Sequence, residues 1–305
     1  MNPELSVIIP TYKRTGSLKK LLEILFNQQT ACIEVIVIDQ NPGNYFGDTM
    51  DAFLGRAKWI KQEKPNASDA RNRGFLASTA PYLLFIDDDL IPEKDFCRQG
   101  IDIFIQFKNI DSFSPLVYND EGQGAAVNYA RTKYLTAHPA NNEIFSITDT
   151  ISAAIFFRRD AYFQTGGFDD FLFEFARTAE DRDFFLRMRK KGMTHWFVPL
   201  VKVFHDEKIP GGCDLRTEDY WITREKCMKA WALGYRTNKG NGKINAGDFV
   251  KLFRSCILNL EVLNSSPKYI ARQFYLMKKA INESRSFFNK RSDVYIFRIN
   301  NGFLV

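Results

Sequence analysis

Over the first ninety residues, short apolar runs alternate with amphipathic helical patterns, and this alternation narrows the choice of fold more than any other feature of the chain. Leu5 to Pro10 is rich in β-branched residues and reads as a buried strand. Leu18, Leu21, Leu22, Leu25 and Phe26 then recur at helical spacing, with Lys19, Lys20 and Glu23 on the opposite face. Ile33 to Asp39 is a second strand and Ala57 to Lys61 a weaker third, and Ser68 is placed to cap a helix running to about Ala77. Pro81 precedes a fourth strand, Tyr82 to Ile86. Strands separated by helices call for crossover connections and hence a parallel sheet covered on both faces. In such α/β sheets, ligands bind beyond the carboxyl ends of the strands.

Composition excludes several alternatives. With 45% hydrophobic and 26% charged residues, the chain is neither disordered nor fibrous. Its longest apolar stretches, such as Tyr82 to Ile86 and Ala153 to Phe157, fall far short of the ~20 residues of a membrane-spanning helix. The start, Met-Asn-Pro-Glu, lacks the basic and apolar pattern of a secretory signal, and the five cysteines are odd in number, scattered and without a CxxC pair. The expectation is free thiols and a cytoplasmic location. Charge is uneven: residues 215–305 carry 17 Lys+Arg against 7 Asp+Glu, while residues 1–214 carry 25 against 29. A basic tail of this size suits nucleic acid, anionic headgroups or a phosphorylated acceptor, and equally an ordinary solvated surface.

The strand ends are polar. The first closes in Pro10-Thr11, the second in Asp39, and the fourth in Asp87-Asp88-Asp89. If the chain stays extended past Ile86, Asp87 and Asp89 project to one side and Asp88 to the other. Two converging carboxylates need a cation or a proton, and a hard dication, Mg or Mn, meets that need; a solvated acidic turn before Pro92 is the alternative. No GxxxxGK[ST] loop and no GxGxxG fingerprint occurs, so phosphate must be met by other means. Arg71 and Arg73, near a helix start, are available for this.

Ser6-Val-Ile-Ile-Pro-Thr-Tyr-Lys-Arg14, Val35-Ile-Val-Ile-Asp39, Ala70-Arg-Asn-Arg-Gly74, Phe85-Ile-Asp-Asp-Asp89, Gly166-Gly-Phe-Asp-Asp170 and Glu180-Asp181 with Phe184, Phe185 and Arg187 stand in an order that resembles family 2 glycosyltransferases of the GT-A fold. The likeness covers residues 5 to about 205. It implies inverting transfer of a sugar from a nucleotide-diphosphate donor, most simply a UDP-sugar, to a hydroxyl of a saccharide or lipid-linked saccharide, with Mn or Mg. Carried over position by position, Pro10, Thr11 and Asp39 line the nucleoside pocket, Arg71 lies beside the nucleotide, and Asp87 faces the ribose with Asp88 next to it. Asp89 meets the metal. His205 corresponds to a histidine that some relatives place near the metal or diphosphate. Gln40-Asn41-Pro42-Gly43 departs from the acid and Gly-Ser that many relatives carry after the second strand, and Tyr118 to Asp149 matches nothing in the pattern.

The chemistry asks for one carboxylate to take the acceptor's proton. Arg182 to Lys191, ended by Gly192, reads as a helix with Glu180 and Asp181 at its N-terminus, where the dipole favours ionised acids. Acids in a first turn are also routine charge complementarity. Motif order favours Asp181 as base with Glu180 orienting it, and Asp170 as a weaker candidate. The expected organisation is a GT-A domain over 1–205, divided into a nucleotide half (1–92) and an acceptor half (93–205). A basic helical extension follows over 206–305, with helices from Tyr220, over Phe249 to Leu263 and over Pro267 to about Asn282. Packing on the catalytic domain is its default role, and its basic, aromatic helices also permit contact with an anionic membrane. Two rivals compete with the transferase. A sugar nucleotidyltransferase lacks its Gly-rich basic loop here, and a nucleic-acid or sugar-nucleotide binding module finds no helix-turn-helix, zinc-finger or RNP pattern, so no nucleic acid is expected.

Overall fold

The structure is a computed structural model describing residues 2–28, 31–119, 143–148, 150, 153–176, 180–206, 219–239, 242–258, 262 and 264–301, the last helix by its backbone alone beyond 289. The chain divides into two compact units, one of residues 1–168 and 184–214, the other of residues 169–183 and 215–305. Segment 169–183, assigned from the sequence to the first domain, clusters with the C-terminal helices.

The first unit holds a mixed sheet ordered β3-β2-β1-β4-β8-β6-β9-β5, with β7 also on β9. Its strands are β1 (Leu5–Thr11), β2 (Ile33–Asp39), β3 (Ala57–Lys61), β4 (Tyr82–Ile86), β5 (Leu90–Pro92), β6 (Ser112–Tyr118), β7 (Phe145–Ile147), β8 (Ala154–Arg158) and β9 (His195–His205). The expected parallel sheet is found over β3-β2-β1-β4. Beyond β4 the sheet becomes mixed, since β4–β8, β8–β6, β9–β5 and β9–β7 are antiparallel while β6–β9 is parallel. The chain winds outward from β1 to β3 and then returns to the other side of β1 with β4, which creates a switch point at the carboxyl ends of β1 and β4. The segment between Tyr118 and β7 lies largely outside the described residues.

Alternation along the strands sorts side chains into two layers. Val7, Ile9, Val35, Val37, Leu84 and Ile86 share a core with Leu18, Leu21, Leu22 and Leu25 of α1 (Thr15–Phe26); Phe96, Ile101 and Phe104 of the helix Phe96–Gln106 belong to the same core. Ile8 points the other way, towards the helix Ala67–Ala77, where a Cβ on Gly74 would lie 2.2 Å from Ile8 Cγ2. That helix can approach the sheet only because residue 74 has no side chain. Gly74→Ala is therefore expected to destabilise the fold by about 1–3 kcal/mol, the usual penalty of overpacking, read as a lower urea midpoint. On the same face Phe85 meets Phe157, Tyr162 and Phe168, and Phe168 stacks on Phe184. Ser68 does not cap this helix as expected. Asn66 does, its side chain accepting from the Asp69 N–H, and Ser68 is buried inside the first turn.

His195 opens β9 fully buried between Ser112 Oγ (2.6 Å from Nδ1) and Ser114 Oγ (3.2 Å from Nε2), its ring against Phe185. Burial pushes its pKa down to about 3, so it stays neutral in the fold, whereas an unfolded histidine takes a proton near 6.5. Stability should fall as pH drops from about 6.5 towards 3, with a slope approaching about 1.4 kcal/mol per pH unit from this group. Denaturation midpoints measured across that range should lose this component of the slope in His195→Gln.

The second unit contains the helices Asp170–Ala176, Tyr220–Lys239, Ala246–Cys256 and Pro267–Asn301. Met228, Ala232, Leu252, Cys256, Leu276, Met277 and Ala280 form a core of its own. The second tail helix begins and ends earlier than the sequence indicates. Asn245 caps it by accepting from the Asp248 N–H, and Ile257 leaves helical geometry. Among the described residues, no helix is long and apolar enough to cross a membrane, and Cys32, Cys97, Cys227 and Cys256 are free thiols.

Candidate functional site

Sheet register brings the polar strand ends together. Thr11 stands opposite Asp39 across β1–β2, and Asp39 opposite Lys61 across β2–β3. Lys61 Nζ consequently reaches Asp39 Oδ2 (2.8 Å) and also the Gly43 carbonyl (2.7 Å), while Asn41 donates twice to Asp39 Oδ1. Asn41 Oδ1 accepts from the N–H of Lys13, a non-glycine residue at φ 59°, which fixes the turn after β1. Gln40 is buried and accepts from the Asn66 N–H, so the Gln40 end of the departing Gln40–Gly43 stretch is tied to the residue that caps the helix at 67–77.

At Ile86 the extended chain stops. The Asp87 N–H donates to the Ala153 carbonyl and the Leu90 N–H to the Asp87 carbonyl, making a turn. The expectation that Asp87 and Asp89 share one side and Asp88 the other is therefore corrected, because Asp88 and Asp89 converge on one arginine while Asp87 pairs with another. Asp87 Oδ1 accepts from Arg71 (2.9 Å), which is buried against Phe168. Asp88 Oδ2 accepts from Thr11 Oγ1 (2.6 Å) and its Oδ1 from Arg14 (3.0 Å). Asp89 Oδ2 lies 2.7 Å from the same guanidinium nitrogen of Arg14. Arg14 thus sets one positive charge against both Asp88 and Asp89. Its position in a Lys-Arg pair after β1 reads as surface, and nothing in the spacing reveals that it folds back.

The tail of the triplet reaches His205 through the sheet. Leu90 of β5 pairs with His205 at the end of β9, which sets His205 Nε2 3.3 Å from Asp89 Oδ2. Burial pushes the Asp88 carboxyl up to about 7 against the opposing pull of Arg14 and Thr11. Asp89 is held below the usual carboxylate range. Its burial acts upward, but hydrogen bonding to His205 and the charge of Arg14 outweigh it. Pro10 is buried in β1, next in sequence to Thr11. Arg73 stands apart, exposed and paired with Asp69 one helical turn away. Asn72, between the two arginines, was not singled out from the sequence. Its amide joins both the N–H and the carbonyl of Phe168 and accepts from Tyr162, fastening the helix at 67–77 to the Gly166–Phe168 turn. Arg187 braces the same turn by donating to the Thr165 and Gly167 carbonyls.

The helix Glu180–Lys190 starts two residues before the Arg182 start read from the sequence, so Glu180 and Asp181 lie within its first turn, and Gly192 follows it at φ 80°. Glu180 and Asp181 belong to the second unit, as does Asp170 in the first turn of the helix at 170–176; Asp169 caps that helix by accepting from the Leu172 N–H. The structure thus gathers Thr11, Asp39, Arg71, Asp87, Asp88, Asp89 and His205 in one unit and places the acids proposed for proton transfer in the other.

Asp89 and His205 are two side chains of this cluster whose donor types could ligate a divalent ion. Their facing atoms are a carboxylate oxygen and an imidazole nitrogen 3.3 Å apart, near the ~3 Å between adjacent ligands of an octahedral ion with bonds of about 2.1 Å. Among the described residues, no group of three or more His, Cys, Asp and Glu side chains could hold a metal ion.

The charged, partly buried cluster lies at the switch point of an α/β sheet, the place where open sheets of this kind bind their ligands. Residues 6–165 match the model of Glycosyl transferase family 2, more than half of the chain, and the chain belongs to that family. It is 29% identical over 198 residues to poly(ribitol-phosphate) beta-N-acetylglucosaminyltransferase TarP of Staphylococcus aureus strain N315, covering 59% of this chain and 56% of that protein. It is 26% identical over 189 residues to an uncharacterized glycosyltransferase of Haemophilus influenzae, covering 60% and 61%. These matches span less than two thirds of either relative's length. Among solved structures, the mannosyltransferase PcManGT from Pyrobaculum calidifontis, in complex with GDP-Man and Mn2+, superposes with a TM-score of 0.54 at 12% identity over 97% of this chain and 81% of that one, a likeness of fold.

Proposed function

We propose that the protein is an inverting glycosyltransferase that moves a sugar from a nucleotide-diphosphate donor, a UDP-sugar by preference, to a hydroxyl of a saccharide or lipid-linked saccharide. The observation that carries this reading is the cluster at the β1/β4 switch point, where Thr11, Arg14, Asp88, Asp89 and His205 are locked together beside Asp87 and Arg71. Family membership and the donor and metal named for the mannosyltransferase of the same fold support it.

In this reading Pro10, Thr11 and Asp39 hold the nucleoside, with Asp39 as the acceptor for a base N–H, and Asp87 turns its half-exposed carboxylate to the ribose while Arg71 steadies it. Asp88 orients the loop from below. Asp89 and His205 would hold Mn or Mg, which when bound offsets the charge on the departing diphosphate. Asp181, with Glu180 beside it, accepts the proton from the attacking hydroxyl as the bond from that oxygen to the anomeric carbon forms and the bond to the diphosphate breaks on the opposite face.

Release of nucleoside diphosphate from a panel of UDP- and GDP-sugars tests the proposal. Turnover should require added Mn or Mg and stop on chelation, and Asp89→Ala should reduce it about 10²–10³-fold, the usual loss when one stabiliser of a developing negative charge is removed. Undiminished turnover by Asp89→Ala, or metal-independent release, would remove Asp89 from this role.

A further inference from the structure

We propose that the surface shared by two helices of the second unit, Ala246–Cys256 (α9 in chain order) and Pro267–Asn301 (α10), docks on an anionic lipid surface. The inference stands on its own chemistry and does not depend on the donor or the catalytic acids.

The two helices turn buried rows inward, Leu252 and Cys256 on one and Leu276, Met277 and Ala280 on the other. Their outward faces carry large apolar side chains among the polar ones. On α9, Phe249 and Val250 are exposed, and on α10, Phe274 and Tyr275 are exposed, Tyr275 at 65%. The aromatic contacts run unbroken across the seam, from Phe249 to Phe253 (6.3 Å) and from Phe253 to Phe274 (5.5 Å). Phe249, Phe253 and Phe274 therefore form one aromatic run across the seam, and exposed Val250 and Tyr275 adjoin its ends in sequence.

Among the described side chains, the exposed charges on the two helices near the patch are positive. Arg254 lies one helical turn after Val250 on α9 and Lys278 one turn after Phe274 on α10, both exposed, with Lys251 and Lys268 exposed nearby in sequence. Between Phe249 and Asn289, Glu283 is the single acid among the described side chains, and it is turned to Lys229 of the helix Tyr220–Lys239 (2.7 Å). An aromatic and aliphatic patch ringed by Lys and Arg matches the boundary between acyl chains and anionic headgroups, where each kind of side chain finds its preferred layer. A second copy of this chain fits poorly, because an isologous contact would bring the same positive ring against itself. A nucleic acid would meet the charges but leave Val250 and the exposed Leu258 without a partner.

Co-sedimentation of the full chain with vesicles of phosphatidylcholine, with and without phosphatidylglycerol, tests this. Binding should appear with phosphatidylglycerol, weaken with salt, and be near background on phosphatidylcholine alone. Neutralising Arg254→Gln and Lys278→Gln together should weaken it about 25-fold, about fivefold per charge. Phe274→Ser with Tyr275→Ser should weaken it at high salt as well, where charge is screened. Lys19→Gln with Lys20→Gln, on exposed positions of α1 in the other unit, should change nothing, and unchanged thermal unfolding of each variant shows that the fold is intact. Equal binding to both vesicles, no binding to either, self-association lost in the aromatic variants, or RNA binding with the same variant profile and no vesicle binding would each overturn the proposal.

Discussion

Arg14→Met is expected to lower stability by about 3–5 kcal/mol at pH 8, the scale of removing one partner from a buried ion pair. Arg14 is about nine-tenths buried, and one of its nitrogens serves two carboxylates, Asp88 at 3.0 Å and Asp89 at 2.7 Å. Methionine keeps much of the length and apolar contact of the side chain and removes the charge, leaving two adjacent acids that cannot both remain ionised at low cost. The direction of the Asp88 shift gives the loss a pH signature. Its carboxyl already titrates at about 7, and without the guanidinium it would hold its proton to higher pH. The deficit should therefore be smaller at pH 6 than at pH 8, and Asp88→Asn in the Arg14→Met background should recover part of it. Lysine should rescue poorly, because one ammonium does not reproduce the planar fork at both acids. Urea midpoints at the two pH values measure this, and a loss below about 1 kcal/mol at both would show that the pair contributes little.

The strands at 33–39, 57–61 and 82–86 were legible to the residue because each is an apolar, β-rich run bounded by a polar or turn-forming residue. The acidic turn shows where such reasoning fails. Period-two alternation applies only while the ladder continues, and β4 ends at Ile86, so the direction of Asp87, Asp88 and Asp89 is set by the Ala153 carbonyl, distant in sequence. Arg14 was hidden for the same reason, as its partners lie more than seventy residues away. His205 was legible as a candidate only through resemblance, and its pairing with Asp89 follows from the β5–β9 ladder, which no local pattern encodes. Ser68 and Asn66 are both good caps, and the choice between them rests on which side chain meets the free N–H of Asp69. The lower half of the sheet, β5 to β9, mixes parallel and antiparallel pairings across long sequence separations, so crossover logic described only the first four strands.

Asp181→Asn should reduce transfer about 10²–10⁴-fold while leaving nucleotide-diphosphate affinity within about twofold, since loss of a general base acts on the proton in flight and not on the donor. Asparagine keeps the shape and hydrogen-bonding capacity of the side chain in the first turn of its helix, so a fold defect is a poor explanation for a large loss. A neutral amide there also gives up a carboxylate's interaction with the helix N-terminus, worth only about 0.3–1 kcal/mol. The diagnostic readout is the pH profile of kcat. The parent should lose activity as its base takes a proton on the acid side, whereas the variant should show a flat, low acid limb. Glu180→Gln should retain more activity than Asp181→Asn if Glu180 only orients its neighbour. The reverse ranking, or an Asp181→Asn enzyme within threefold of the parent while Asp170→Asn is inactive, would move the proton acceptor to the other acid of the same unit.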